Sequence, residues 1–308
     1  MKNTIKISLS AESILYFPIY LLVEDPISYG LNDVKIILES KNNDKEALEA
    51  LNDGFHFAIC DPIYLRNHKG IRKKAIKPLI IKSALWISSL RDKEKSTYSP
   101  IKHIITHPKH TTAHNCVHVL MLRENSTKLH ANKFKIDEQP EVKNISFGEE
   151  FNELNKSSNR ENTIIITSDI IKLIADNLEY KGLYDLGIKQ FEKNVFTALI
   201  SHKILLERND SLVEKIVKAI DSVLLSFQNI KNDEYNPIAK KLVACLSKGK
   251  EKKFFMEHYS VENIEKVLKV LHDSRIYPSQ KTVNRLHEYW KNSCDIKDST
   301  KGNDDAKQ

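Results

Sequence analysis

Glycine is scarce, with eight in 308 residues, and no GxGxxG or GxxxxGK[ST] run occurs. A Gly-rich cradle for a phosphate chain is therefore excluded. Cysteine is equally thin: Cys60, Cys116, Cys245 and Cys294 lie far apart and form no CxxC pair. That dispersal reads as reduced thiols, which favours a cytoplasmic chain. Long apolar runs are missing too. The longest, Ile14 to Val23, carries Pro18 inside it and Glu12 at its edge, and it is far too short to span a bilayer. With no small-x-small cleavage site after it, the run is not read as an export signal either, which again predicts a cytoplasmic location. Charge of one sign is not in large excess: Lys+Arg is 48 against Asp+Glu 41, a surplus of +7. The basic runs Arg72-Lys73-Lys74 and Lys248 to Lys253 have no interleaved aromatics, so nucleic acid is not expected as a partner. No Ser-His-Asp spacing and no HExxH motif is present.

What the chain does have is 41% hydrophobic residues, enough for two moderate cores at this length. A strand over Ile5 to Ser10 leads into the apolar segment holding Pro18. A second strand (Val34 to Leu38), a charged helix (Asp44 to Leu51), a turn at Gly54 and a third strand ending in Cys60-Asp61-Pro62 follow. This β-α-β-α-β order predicts a parallel sheet whose strand ends gather on one edge, where open α/β sheets bind ligands. Pro78 to Ile87 reads as one buried strand, and the polar Arg91 to Pro100 as a crossover.

A second α/β block begins at Ile101. It contains a strand to Thr106, a helix from Thr111 to Arg123 capped by Thr111 or Thr112, and short strands at Lys143 to Phe147 and Thr163 to Thr167. Ser168 and Asp169 are placed to cap a helix over 170–178. Phe196 to Ser201 reads as a strand returning to the first block. From a cap at Asp210 or Ser211 onward, Leu212, Ile216, Ala219, Ile220 and Val223 recur at helical spacing. Further helices are predicted over 236–246, 250–258, 261–272 and 279–290. The polar 295–308 segment is expected to be a disordered tail.

Several residues fall where chemistry is expected. The segment Thr106 to Asn115 joins a strand to a helix start, whose free N–H groups suit a carboxylate, sulfonate or phosphate. Thr111 and Thr112 would add hydroxyls, and Lys109 and His110 positive charge, with His107 a further candidate ligand contact; the alternative is plain N-capping by the threonines. His103, His107, His110, His114 and His118 crowd this stretch beside Cys116. His114 and His118 are one helical turn apart and His110 is a candidate third ligand, so a metal is one reading. A pH-sensitive pocket or a solvated surface are the others. Asp61 follows a buried strand and is a candidate ligand acceptor or general base, or else the cap of a helix at Ile63. Ser8, Ser10 and Tyr16 flank the first strand-to-helix turn as candidate pocket wall. Trp86 is placed either to stack on a ligand ring or to fill the core. Ser168 and Asp169 close the opposite strand edge, with capping as their default role.

The order and spacing of these pieces resembles the type II periplasmic-binding fold, and within it the nitrate/sulfonate/taurine-type solute-binding family. The residues that carry the resemblance are Lys6-Ile-Ser-Leu followed by Pro18, Gly30-Leu-Asn-Asp-Val34, Glu46 to Gly54 leading into Phe57-Ala-Ile, and Thr197-Ala-Leu-Ile-Ser201 before a long helix. Together they cover about residues 4–290. The resemblance implies two α/β lobes, each a parallel-rich sheet flanked by helices, with a helical C-terminal portion. The chain would cross twice between them: residues 1–95 and 200–294 in one lobe, 96–199 in the other. It implies a small polar or anionic ligand in the cleft, a solute-binding or sensing role, and an ABC permease as partner for an exported form. The alternative is a cytosolic enzyme of the same fold, in cofactor or precursor biosynthesis, using Asp61 and the His107 to His118 segment. The related pyrimidine precursor synthases of thiamine biosynthesis resemble Gly-x-x-Asp-x-x-x-Lys-x-x-x-His at the third strand. Counted from Gly54, their Lys position holds Asp61 and their His position Leu65. Their cysteine-rich run is also missing, which argues against that reaction. No cofactor is indicated.

Overall fold

The computed structural model describes residues 3–67, 73–80, 85–89, 101–114, 117, 136–145, 149, 153, 156, 162–168, 181–185, 197–231, 234–248, 260–274 and 277–278. The expected helices over 170–178, 250–258 and 279–290, the tail over 295–308, and the residues Cys116, His118, Asp169 and Cys294 lie outside them. Two five-stranded mixed sheets organise the chain. The first has the order β2-β1-β3-β10-β4 and the second β7-β6-β8-β5-β9.

In the first sheet, β1 (Asn3–Leu9) pairs in parallel with β2 (Val34–Ser40) and β3 (Phe57–Cys60). β10 (Thr197–His202) returns antiparallel to β3 and to β4 (Lys73–Ile80). Alternation in β1 sends Ile5, Ile7 and Leu9 into the main core. Against that face pack α1 (Phe17–Glu24) and the C-terminal helices α4 (Asp210–Gln228), α5 (Tyr235–Leu246) and α6 (Val261–Ser274). A short helix, α3 (Lys203–Arg208), links β10 to α4. Pro18 lies in the first turn of α1, where a missing N–H leaves no helix bond unmade. Beside it Phe17 is fully buried, with its ring 4.5 Å from Phe227 and edge-on to Tyr277 at 5.1 Å.

On the other face of the sheet lies α2 (Asp44–Glu49). Asn43 caps it: the Glu46 N–H donates to Asn43 Oδ1 at 2.9 Å, and Asn43 Nδ2 donates back to Glu46 Oε1 at 3.0 Å. Asn43→Ala is expected to lower stability by about 1 kcal/mol, read as a lower denaturant midpoint at unchanged slope. A 3-10 turn over Ala50–Asp53 ends at Gly54, whose φ of 84° turns the chain into β3; a side chain there would strain that left-handed conformation.

The second sheet holds β6 (Ile101–Thr106) parallel to β7 (Ile136–Asn144) and β8 (Thr163–Ser168), with β5 (Leu85–Ser89) antiparallel to β8 and to β9 (Lys181–Asp185). Three expectations are corrected here. Pro78 to Ile87 is not one strand: Ile80 ends β4 in the first sheet and Leu85 opens β5 in the second. The first crossing therefore precedes residue 85 rather than following 95. A continuous apolar run shows that a segment is buried, not that it stays in one sheet. Second, β7 begins at Ile136, well before Lys143. Third, the N-cap of α4 is Asn209, not Asp210 or Ser211. No helix among the described residues is long and apolar enough to cross a membrane.

Candidate functional site

The C-terminal ends of β1, β2 and β3 and the start of β10 share one edge of the first sheet. The turn that follows β6 in the second sheet meets this edge. Asp44 stands at the junction. As the first residue of α2, next to the cap Asn43, it is pinned to the sheet edge, and it is 4% exposed.

Both carboxylate oxygens and the main-chain N–H of Asp44 are engaged. Its Oδ1 accepts the Asp61 N–H at 3.0 Å, and its Oδ2 accepts the Thr112 N–H from the second sheet at 3.1 Å. Its own N–H donates to the His110 carbonyl at 3.1 Å. Asp61, also buried, accepts the Thr112 hydroxyl on Oδ2 at 3.1 Å. Three hydrogen bonds thus join the two sheets, each with a partner from Asp44 or Asp61.

Burial drives the electrostatics. Loss of solvent pushes the Asp44 carboxyl up to about 6. The Asp61 N–H, the Ser10 hydroxyl, the Thr112 N–H and the His107 imidazole hold it below where burial alone would put it. Tyr16 is buried, with its hydroxyl 2.6 Å from Ser10 Oγ. Its phenol is raised far above the usual range, by burial first and the nearby Asp44 second. Cys60, at the end of β3, is raised in the same way by burial and then by Asp44 and Asp61. These two groups stay neutral, so the site holds two carboxylates, several hydroxyls and the His107 ring.

The expected site residues divide. Ser10, Tyr16, Asp61, His107 and Thr112 come together around Asp44. Ser8 does not line the site. Fully buried, its hydroxyl donates to Ala47 O at 2.7 Å and Phe57 O at 3.3 Å, fastening α2 to the sheet. Thr111 is a cap: its hydroxyl donates to Pro108 O at 2.8 Å and accepts the His114 N–H at 3.2 Å. His110 contributes its carbonyl to Asp44, from a left-handed backbone of φ 67°, and its ring lies edge-on to Tyr64 with centroids 6.3 Å apart. Trp86 sits in β5 opposite Thr167, and Ser168 is the last residue of β8. Among the described residues no group of three or more His, Cys, Asp or Glu is placed to hold a metal ion, and the structure does not assign His110 to one.

Asp44 itself was not among the residues expected from sequence. The available signal was the Asn43 cap directly after β2, which puts the next residue on the ligand-bearing edge of the sheet. Thr197, buried at the start of β10, also helps to hold the Tyr16 phenol down and was not expected as a site residue.

No protein-family model matches the sequence, and no curated protein sequence does. Solved structures do match. The zinc-bound ligand-binding component of an ABC-type import system from Staphylococcus aureus is 15% identical, covers 87% of this chain and 84% of its own, and superposes with a TM-score of 0.59. The periplasmic nitrate-binding protein NrtA of Synechocystis is 11% identical over 86% of this chain and 70% of its own, with a TM-score of 0.60. The alkanesulfonate-binding protein SsuA of Xanthomonas axonopodis pv. citri, bound to MOPS, is 11% identical over 92% and 96% of the two chains, at 0.57. Identities this low speak for architecture, and in architecture the agreement spans nearly the whole chain: it has the periplasmic binding protein fold.

Proposed function

We propose that this chain binds a small polar molecule between two lobes, in a solute-binding or sensing role. One lobe is built on the first sheet with helices α1 to α6, and the other on the second sheet from β5 to β9. The observation that carries this reading is the buried polar cluster of Ser10, Tyr16, Asp44 and Asp61, which meets His107 and Thr112 where the sheet edges face each other. Pockets of this kind combine apolar walls with a few convergent polar groups.

The ligand class is narrower than a polar or anionic molecule. The Thr112 N–H and hydroxyl, which would otherwise receive an oxyanion, already serve Asp44 and Asp61. A ligand bearing N–H or O–H donors suits a junction where two acidic side chains lie together. If the chain is exported, an ABC permease is the natural receiver of such a ligand. The enzymatic alternative has one specific support: a buried carboxyl titrating at about 6 beside His107 suits general acid–base work.

Native mass spectrometry of the protein purified from its own host tests the proposal. A bound small molecule released on mild denaturation is expected, and Asp61→Ala should abolish its retention, because the carboxylate is both ligand acceptor and partner of Thr112. An empty protein, or retention unchanged in Asp61→Ala, would overturn this placement of the site.

A further inference from the structure

The two sheets are bonded to each other directly. Asp44 and Asp61 take the donors of Thr112 directly, so the chain closes on itself through its own side chains. We propose that Asp44 works as a proton-operated latch between the two lobes: gaining a proton favours the closed arrangement, and losing it favours opening. This rests on the reading that the two lobes can part.

The direction follows from solvation. In the closed chain Asp44 is almost fully buried, and an ionised carboxylate in such a place forgoes water that two N–H donors only partly replace. Parting the lobes removes the cover of Thr112 and returns the carboxylate to solvent. The closed state therefore binds the proton more tightly than the open one. Acid pulls the equilibrium toward closure, and neutral or basic solution pulls it toward opening. When protonated, each oxygen keeps a lone pair for its N–H donor.

The groups facing Asp44 do not reverse this. From the first sheet these are Ser10, Tyr16, Cys60 and Asp61, and burial keeps the phenol and the thiol neutral. From the second sheet they are Thr112 and His107. The imidazole is the one facing group that gains positive charge on acidification, and that charge favours ionised Asp44. It opposes the latch, so removing it should sharpen the response. The closed-to-open ratio therefore rises as pH falls from about 8 to about 5, through the value of about 6 to which burial raises the closed-state carboxyl.

Small-angle X-ray scattering of the full-length, ligand-free protein over this pH range is the test, on the wild type, Asp44→Asn, His107→Gln and Thr112→Val. The wild type should become more compact as pH falls, His107→Gln should do so at least as strongly, and Asp44→Asn should not respond. Thr112→Val keeps the main-chain N–H to Asp44 but loses the hydroxyl bond to Asp61. It should be more open throughout while still closing in acid, which keeps the response visible even where the wild type stays shut. Compaction that persists in Asp44→Asn would overturn the latch and leave the two-lobed binding reading intact. So would dimensions independent of pH in both the wild type and Thr112→Val. Failure of the binding reading appears separately, as the absence of a released ligand.

Discussion

Replacing Asp44 with Asn should remove a pH dependence of stability worth about 2 kcal/mol between roughly pH 7.5 and pH 4.5. Burial raises the folded-state carboxyl to about 6, from an ordinary value of 3.8. A carboxyl raised on folding contributes stability that is fully present below the unfolded value and is lost as pH rises through about 6. The wild type should therefore gain stability, relative to Asp44→Asn, as the solution is acidified through this window. Other groups move differently. His56 is lowered by burial and then by Lys6, so its contribution falls on acidification through the ordinary imidazole range. Asp25, Asp33, Glu153 and Glu262 are lowered chiefly by hydrogen bonds from lysines, so their contribution is lost as pH falls through and below the ordinary carboxylate range. All of these are common to both proteins and cancel in the difference. Urea unfolding at several pH values measures it. A wild-type-minus-variant difference that stays flat across the window would show that Asp44 is solvated in the folded chain.

The same residue shows how far the sequence was legible. β1, β2, β3 and β10 could be placed because each is a short apolar run bounded by turn or helix signals, and α4 to α6 because their apolar residues recur every three or four positions. The edge of the first sheet was therefore known, and Asp61 with it, because that residue directly follows a buried strand. Asp44 was passed over for a physical reason. An acidic residue in the first turn of a helix is already explained by the helix dipole, so nothing in the local pattern demanded a second role. Its partner Thr112 is 68 residues away, and no local periodicity reports a contact across that distance. β9 escaped for a related reason: Lys181-Gly-Leu-Tyr-Asp185 shows neither clean alternation nor an apolar run, and only pairing with β5 makes it a strand.

A larger effect, about 3 kcal/mol of destabilisation, is expected from Asp221→Ala. Lys77 lies in β4, the edge strand of the first sheet, and is 1% exposed. A shift of register between Leu199 and Ile200 of β10 separates Lys77 from Ala75 in their pairing. Ala75 packs into the small cluster beside α2, whereas Lys77 reaches α4 and forms an ion pair with Asp221. The inward lysine and the neighbouring Pro78 both make this strand a poor template for a further one. Asp221 keeps a side-chain exposure of 30%, so water shares its charge, while the buried Lys77 has Asp221 as its ion-pair partner among the described residues. The two halves of the pair are thus unequal. Removing Asp221 strands a buried ammonium, whereas Lys77→Met fills the same space without a charge and leaves a carboxylate that water can reach. Lys77→Met should fall within about 1 kcal/mol of the wild type, and adding it to Asp221→Ala should restore most of the lost stability. Guanidinium unfolding of the two single variants and the double variant measures all three terms. Equal losses in the two single variants would mean that Lys77 finds its solvation elsewhere, and that the ion pair does not hold α4 to the edge of the sheet.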